Sequence, residues 1–97
     1  MKKAKNNPAI SVIMPVYNSE KYILQAVDSI LKQSFSDFEF FIVDDASNDN
    51  TLKTLDTIND SRIIIINNDK QKGHYKCRNQ ALPMVKGKYV AVMDGDD

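Results

Sequence analysis

Four short apolar runs set the rhythm of the chain: Ile10-Ser11-Val12-Ile13-Met14, Phe38-Glu39-Phe40-Phe41-Ile42-Val43, Arg62-Ile63-Ile64-Ile65-Ile66 and Tyr89-Val90-Ala91-Val92-Met93. They are rich in β-branched and aromatic residues, do not alternate cleanly, and give way to Pro, Asp or Asn. That is the pattern of strands covered on both faces, and so of a parallel sheet. The first linker has a helical period over Ser19 to Gln33: Ile23, Ala26, Val27, Ile30 and Leu31 share a stripe, while Lys21, Gln25, Asp28 and Lys32 face away. Asn18 or Ser19 is placed to cap it. The second, Asn50 to Asn59, aligns Leu52, Leu55 and Ile58 as a shorter helix. The third, His74 to Val85, puts Cys77, Ala81, Met84 and Val85 at helical spacing, with Pro83 predicted to end or kink it.

The order β-α-β-α-β-α-β, joined by right-handed crossovers, predicts a half-Rossmann-like α/β layer, with a mainly parallel sheet of about four strands and helices on both faces. Residues 1–8 read as a disordered basic tail and 9–97 as one domain part. In such sheets ligands bind beyond the carboxyl ends of the strands. There the chain collects Tyr17 and Asn18, Asp44 and Asp45, Asn67 and Asn68, and the acidic ending Asp94-Gly95-Asp96-Asp97.

With 97 residues, 42% hydrophobic and 27% charged, the chain can bury one modest core. Thirteen basic and thirteen acidic side chains cancel, which removes the electrostatic case for nucleic acid as the partner. Cys77 is the single cysteine, so no internal disulfide can form, and a reducing cytoplasmic setting is the simplest inference. The run Ile10 to Val16 is too short for a signal peptide core, and no stretch reaches the ~20 apolar residues that span a bilayer.

Carboxylates crowded at a strand end repel one another unless a cation or polar ligand sits among them. Gly95 between Asp94 and Asp96 allows a sharp turn, and the oxygens suit Mg²⁺ or Mn²⁺, which keep positions open for diphosphate oxygens. His74 and Cys77 offer no zinc cluster, and His74 reads as a surface residue at a helix start. The chain has three glycines and neither GxGxxG nor GxxxxGK[ST], so a nicotinamide cofactor or a P-loop nucleotide is not expected. Lys76 and Arg78, near the start of the third helix, could still meet a phosphate or a base edge.

Together, Ser11 to Asn18 (SVIMPVYN), Ile42 to Thr51 (IVDDASNDNT), the Gly73 to Asn79 stretch with Arg78-Asn79, and Gly87-Lys88-Tyr89 running into Asp94-Gly95-Asp96-Asp97 resemble the nucleotide-sugar-binding half of a family-2 glycosyltransferase of GT-A fold. The resemblance covers residues 9 to 97. It implies an inverting, metal-dependent transfer of a sugar from a nucleotide diphosphate, a UDP-sugar by family habit, to a hydroxyl of a saccharide or lipid-linked acceptor. By position, Pro15, Val16 and Tyr17 would line the nucleobase pocket and Asp45 would accept a hydrogen bond from the base, with Asp44 supporting that loop. Arg78 would lie near base or ribose, Asp94 would face the ribose or a metal-bound water, and Asp96 would be the direct ligand of Mn²⁺ or Mg²⁺, with Asp97 behind it.

Two positions depart from the family pattern: Ala46 stands where many relatives have Gly, and Pro83 interrupts a helix usually free of proline. The general base of an inverting transfer comes, in the family, well after this acidic motif, so the chain is expected to be a donor-binding fragment, inactive alone. A sheet ending at its fourth strand should expose an apolar edge, which makes dimerisation an expectation. Whether a longer parent meets a membrane is left open by these residues. The competing reading from another class is a noncatalytic nucleotide- or metal-binding module. A phosphotransferase with an Asp nucleophile ranks lower, because Pro15 and Tyr17 occupy the end of the first strand. A sugar nucleotidyltransferase would want an early Gly-rich loop that is missing.

Overall fold

The structure, a computed structural model, describes residues 8–34 and 36–93. The expected tail therefore lies outside the described residues except for Pro8, which is buried. Four strands, β1 (Ile10–Val16), β2 (Phe38–Asp44), β3 (Ile63–Asn67) and β4 (Tyr89–Val92), alternate with helices α1 (Ile23–Leu31), α2 (Thr51–Leu55) and α3 (His74–Ala81). All pairings are parallel, in the order β3-β2-β1-β4. The register aligns Val16 with Asp44 and Asp44 with Asn67, so the first three strands deliver their polar ends to one rim.

Each strand sends alternate residues to opposite layers. Val12, Met14 and Val16 of β1 and Phe38, Phe40 and Ile42 of β2 pack with Ile23, Val27 and Ile30 of α1 and Leu55 of α2. The opposite parity, Ile13, Phe41 and Val43, packs with Cys77 and Ala81 of α3. This split follows from handedness. The chain moves from β1 to β2 to β3 in one direction and then returns past them to β4, and a right-handed crossover taken in the reverse direction puts its helix on the other face. The β1–β4 boundary, where the direction of winding changes, is therefore the topological switch point.

The helical stripe expected for α1 is the buried one, while Lys21, Gln25, Asp28 and Lys32 are exposed and Asp28 pairs with Lys32 at 2.9 Å. The helix begins later than its pattern, at Ile23. Residues 20–22 form a turn in which the Ser19 carbonyl accepts from the amides of Tyr22 and Ile23 at 2.9 and 2.8 Å, and Tyr22, the residue before the helix, makes no side-chain cap. The second helix is five residues, shorter than Asn50 to Asn59. The third ends at Ala81 and passes into a tight 3₁₀ turn over Leu82–Met84 that holds Pro83, as its missing amide requires. Met84 is consequently exposed rather than packed beside Cys77 and Ala81, whereas Val85 keeps its place against them. β4 forms the apolar edge expected of it, with a neighbour on one side only among the described residues, but it is not covered on both faces as its apolar run suggested: Tyr89, Val90 and Val92 are exposed.

At the amino ends of the strands a different contact fixes β4. Gly87 approaches β1 so closely that its amide donates to Ser11 Oγ at 2.8 Å, and that hydroxyl donates to Glu39 Oε2 at 2.5 Å. The Lys86 amide donates to the same carboxylate oxygen at 2.6 Å.

Candidate functional site

An open cleft of about 200 Å³ lies at the switch point, lined by Pro15, His74, Tyr75, Arg78, Val92 and Met93. Strand parity explains its walls. Pro15 follows Ile13 onto the α3 face of β1, and Val92, in register with Ile13, shares that face from β4. Val16 has the opposite parity. Its side chain is fully enclosed with Val12 and Met14, and what it gives the rim is a carbonyl that accepts the Asp45 amide at 2.9 Å. Tyr17 follows it, half-buried.

The third wall is the amino end of α3. Gly73, with φ 92° and ψ 160°, turns the chain into the helix through a conformation that favours glycine, and its carbonyl accepts the Cys77 amide at 3.0 Å. The first turn then presents His74 and Tyr75, and one turn on the Arg78 guanidinium stacks 4.9 Å from the centroid of the Tyr75 ring. A cation held against an aromatic face, at a helix amino terminus, suits an anionic or heteroaromatic guest. Lys76 is exposed and does not line this cleft.

The aspartates ending β2 divide their work. Asp44 accepts from the Ser47 hydroxyl at 2.6 Å and, more weakly, from the Ser47 amide at 3.4 Å, so it supports the following loop as expected. In that loop Ala46 adopts φ 63°, the left-handed conformation that a glycine would hold without strain. Asp45, 1% exposed, accepts at Oδ1 from Asn68 Nδ2 (3.1 Å) and the Lys72 amide (2.8 Å), and at Oδ2 from the Gly73 amide (2.9 Å). Burial raises its pKa, but hydrogen bonds from Lys72, Gly73 and Asn68 outweigh that and hold the carboxyl below its ordinary value. The carboxylate thus braces the loop that leads into α3. The thiol of Cys77 behind it is pushed up to about 12, by burial first and then by Asp45, so it stays a neutral core group.

Of the expected site residues, then, Pro15 and Arg78 meet in one cleft, Tyr17 and Asp45 follow β1 and β2 on the same edge of the sheet without lining that cleft, and Val16 belongs to the core. Asp94 and Asp96 lie outside the described residues. Among the described residues no group of three or more His, Cys, Asp or Glu could hold a metal. The chain enters the acidic cluster one residue after Met93, itself on the cleft wall, with its amide donating to the Ile13 carbonyl at 2.8 Å. Sequence reasoning missed Tyr75, although an aromatic in the turn after Gly73 was a usable signal.

A Rossmann-like α/β layer with a ligand cleft at its switch point is the class these features define. The model described as Glycosyl transferase family 2 matches residues 11–97, and the chain belongs to that family. Among its relatives, a UDP-Glc:alpha-D-GlcNAc-diphosphoundecaprenol beta-1,3-glucosyltransferase of Escherichia coli, WfaP, is 42% identical over 88 residues, spanning 91% of this chain and 35% of that protein. The sheet and helices match solved structures of GT-A fold. The S. aureus TarS 1–349 complex with UDP-GlcNAc is 38% identical with a TM-score of 0.83, over 90% of this chain and 26% of that one. The mannosyltransferase PcManGT of Pyrobaculum calidifontis, in complex with GDP-Man and Mn2+, is 28% identical with a TM-score of 0.83, over 93% and 28%. The chain spans about a quarter to a third of the length of such relatives.

Proposed function

We propose that this chain is the donor-binding part of an inverting, metal-dependent glycosyltransferase that passes a sugar from a UDP-sugar to a hydroxyl of a saccharide or lipid-linked acceptor. The observation that carries the reading is the switch-point cleft, whose Pro15, Arg78, Val92 and Met93 walls lie directly before the acidic cluster at Asp94. Related chains with the same fold hold UDP-GlcNAc in one case and GDP-Man with Mn2+ in another.

In this reading the base lies against Pro15 and Tyr17, with Asp45 fixing the rim that faces it, and Arg78 supplies positive charge beside base or ribose. Asp94 would face the ribose or a metal-bound water. Asp96 would be the direct ligand of Mn²⁺ or Mg²⁺, since the sequence offers an oxygen-only donor set there. The chemistry such a cation supplies is neutralisation of charge on the departing diphosphate. The general base that deprotonates the acceptor comes, in this reading, from outside the part shared with the relatives, and the reaction is taken to be cytoplasmic.

Calorimetric titration of UDP with Mn²⁺, repeated with chelator and with Asp96→Ala, tests the assignment. Metal-dependent binding that disappears in the variant supports it. Equal binding with chelator removes the metal role, and absence of UDP or GDP binding by a folded chain removes the donor site.

A further inference from the structure

A buried polar network joins three elements behind the cleft, and its centre is a residue given no role so far. Asn68 follows β3, is 5% exposed, and extends the ladder by donating its amide to the Asp44 carbonyl at 2.9 Å. Its side chain then works in two directions. Nδ2 donates to Asp45 Oδ1 at 3.1 Å and lies 3.6 Å from Cys77 Sγ, while Oδ1 accepts from Gln80 Nε2, in the last turn of α3, at 2.6 Å. Gln80 Oε1 is buried without a partner among the described residues, so the bond to Asn68 is what orients that amide.

We propose that Asn68 is a positioning residue for nucleotide binding: through Asp45 it fixes the Lys72–Gly73 backbone, and with it the α3 turn that carries His74, Tyr75 and Arg78 to the cleft. The chemistry demands an amide. Asp45 needs a donor and Gln80 needs an acceptor, and a carboxamide of this length offers both from one position on two separate atoms. Without it Asp45 keeps the two backbone donors but loses the side chain that sets its rotamer, while Gln80 loses its partner. Gly73, whose φ of 92° leaves it many alternatives, would then no longer be held where α3 must start. A 1 Å displacement of Arg78 suffices to weaken a guest held by oriented contacts.

The inference rests on the donor-site reading, and the experiment separates the two. UDP with Mn²⁺ is titrated into the wild-type chain and into Asn68→Ala, and amide hydrogen exchange is followed in both. Asn68→Ala is expected to lose about tenfold in affinity, while the amides of Lys72 and Gly73 exchange at least about tenfold faster and those of β1 and β2 keep their protection. A purely structural role would instead accelerate all amides together. If Asn68→Ala does not fold, Asn68→Asp, which keeps the shape, is read in its place. Two carboxylates about 3 Å apart share one proton on acidification, so affinity lost at neutral pH should return as pH falls towards 5. The other titratable groups about Asp45 are Asp44 on β2, Lys72 on the loop and Cys77 on α3. A wild type that binds while the variant binds equally well overturns the inference alone. A wild type that binds no nucleotide overturns the donor-site reading and this inference with it.

Discussion

Replacing Gly87 by alanine should damage the fold, because the added methyl group has no room. A Cβ there would lie 2.6 Å from the Ser11 amide nitrogen, 2.7 Å from the Ile10 carbonyl carbon and 2.7 Å from Ser11 Oγ. Ordinary contact begins near 3.4 Å, so the segment leading into β4 must withdraw by about 0.8 Å. β1 cannot yield instead, because β2 and β4 are paired along its two edges. Withdrawal by that amount stretches the Gly87 bond to Ser11 Oγ, now 2.8 Å, beyond hydrogen-bonding range. Overpacking costs about 1–3 kcal/mol and a buried polar group left without its partner about 1–3 more, so a loss of about 3 kcal/mol is expected, or roughly 15 °C in Tm. Denaturant unfolding followed by circular dichroism measures it. Because β4 feeds the acidic cluster, Mn²⁺-dependent UDP binding should weaken as well. Combining Gly87→Ala with Ser11→Ala decides the cause: the hydroxyl clash goes and the backbone clash stays, so stability should not recover. Recovery in the double variant, or a loss below about 0.5 kcal/mol in the single one, would refute the steric argument.

Ala46→Gly relieves a left-handed alanine at φ 63°, a relief of about 1–2 kcal/mol set against about 0.4–1 kcal/mol for a more flexible unfolded chain, so a gain in stability of up to about 1.6 kcal/mol, read as a raised denaturant midpoint, is expected. Acid should destabilise the chain through two carboxylates. Asp45 and Asp49 both titrate below 3.8 when folded, so the stability they contribute is complete above that value and is lost as pH falls through their folded pKa values. Asp49→Asn should flatten that part of the stability–pH curve measured by thermal melts from pH 6 to 2. Arg78→Ala should cost UDP affinity about tenfold, whereas Tyr75→Ala, which frees the guanidinium, should cost about two- to fivefold and Tyr75→Phe almost nothing, all by calorimetry.

Strand positions and the direction of the sheet were legible because apolar runs of β-branched residues have few other uses. The buried stripe of α1 was legible for the same reason. Parity along β1 was available too and was not used: Pro15 and Val16 are neighbours in sequence but point to opposite layers, so only one of them can line the cleft. Asp45 was beyond such reading, because its donors lie 23 to 28 residues away and two of them are backbone amides with no side-chain signature. An aspartate at a strand end, read alone, shows a free carboxylate. In the folded chain that carboxylate is already engaged.

The late start of α1 exposes the same physics at the neighbouring loops. A local cap was expected from Asn18 or Ser19; the Ser19 carbonyl does serve the Tyr22 and Ile23 amides, but the Ser19 and Glu20 amides are satisfied from across the rim. The Ser19 amide donates to Thr51 Oγ1 at 2.7 Å, and the Glu20 amide to Asp49 Oδ2 at 3.3 Å. Asp49 meanwhile accepts from the Thr51 amide at 2.9 Å and the Thr51 hydroxyl at 2.6 Å, so one carboxylate serves the starts of both α1 and α2. The exchange is mutual, since the Asn50 amide donates to Glu20 Oε1 at 3.0 Å and the Asn48 amide to Asn18 Oδ1 at 2.9 Å. Helix amino ends need acceptors, but nothing requires that they come from the preceding residues. Taking them from the opposite loop couples the ends of β1 and β2 into one body. Tyr17 on one loop and Asp45 on the other then keep a fixed spacing at the rim, which a pair of separately capped loops would not impose.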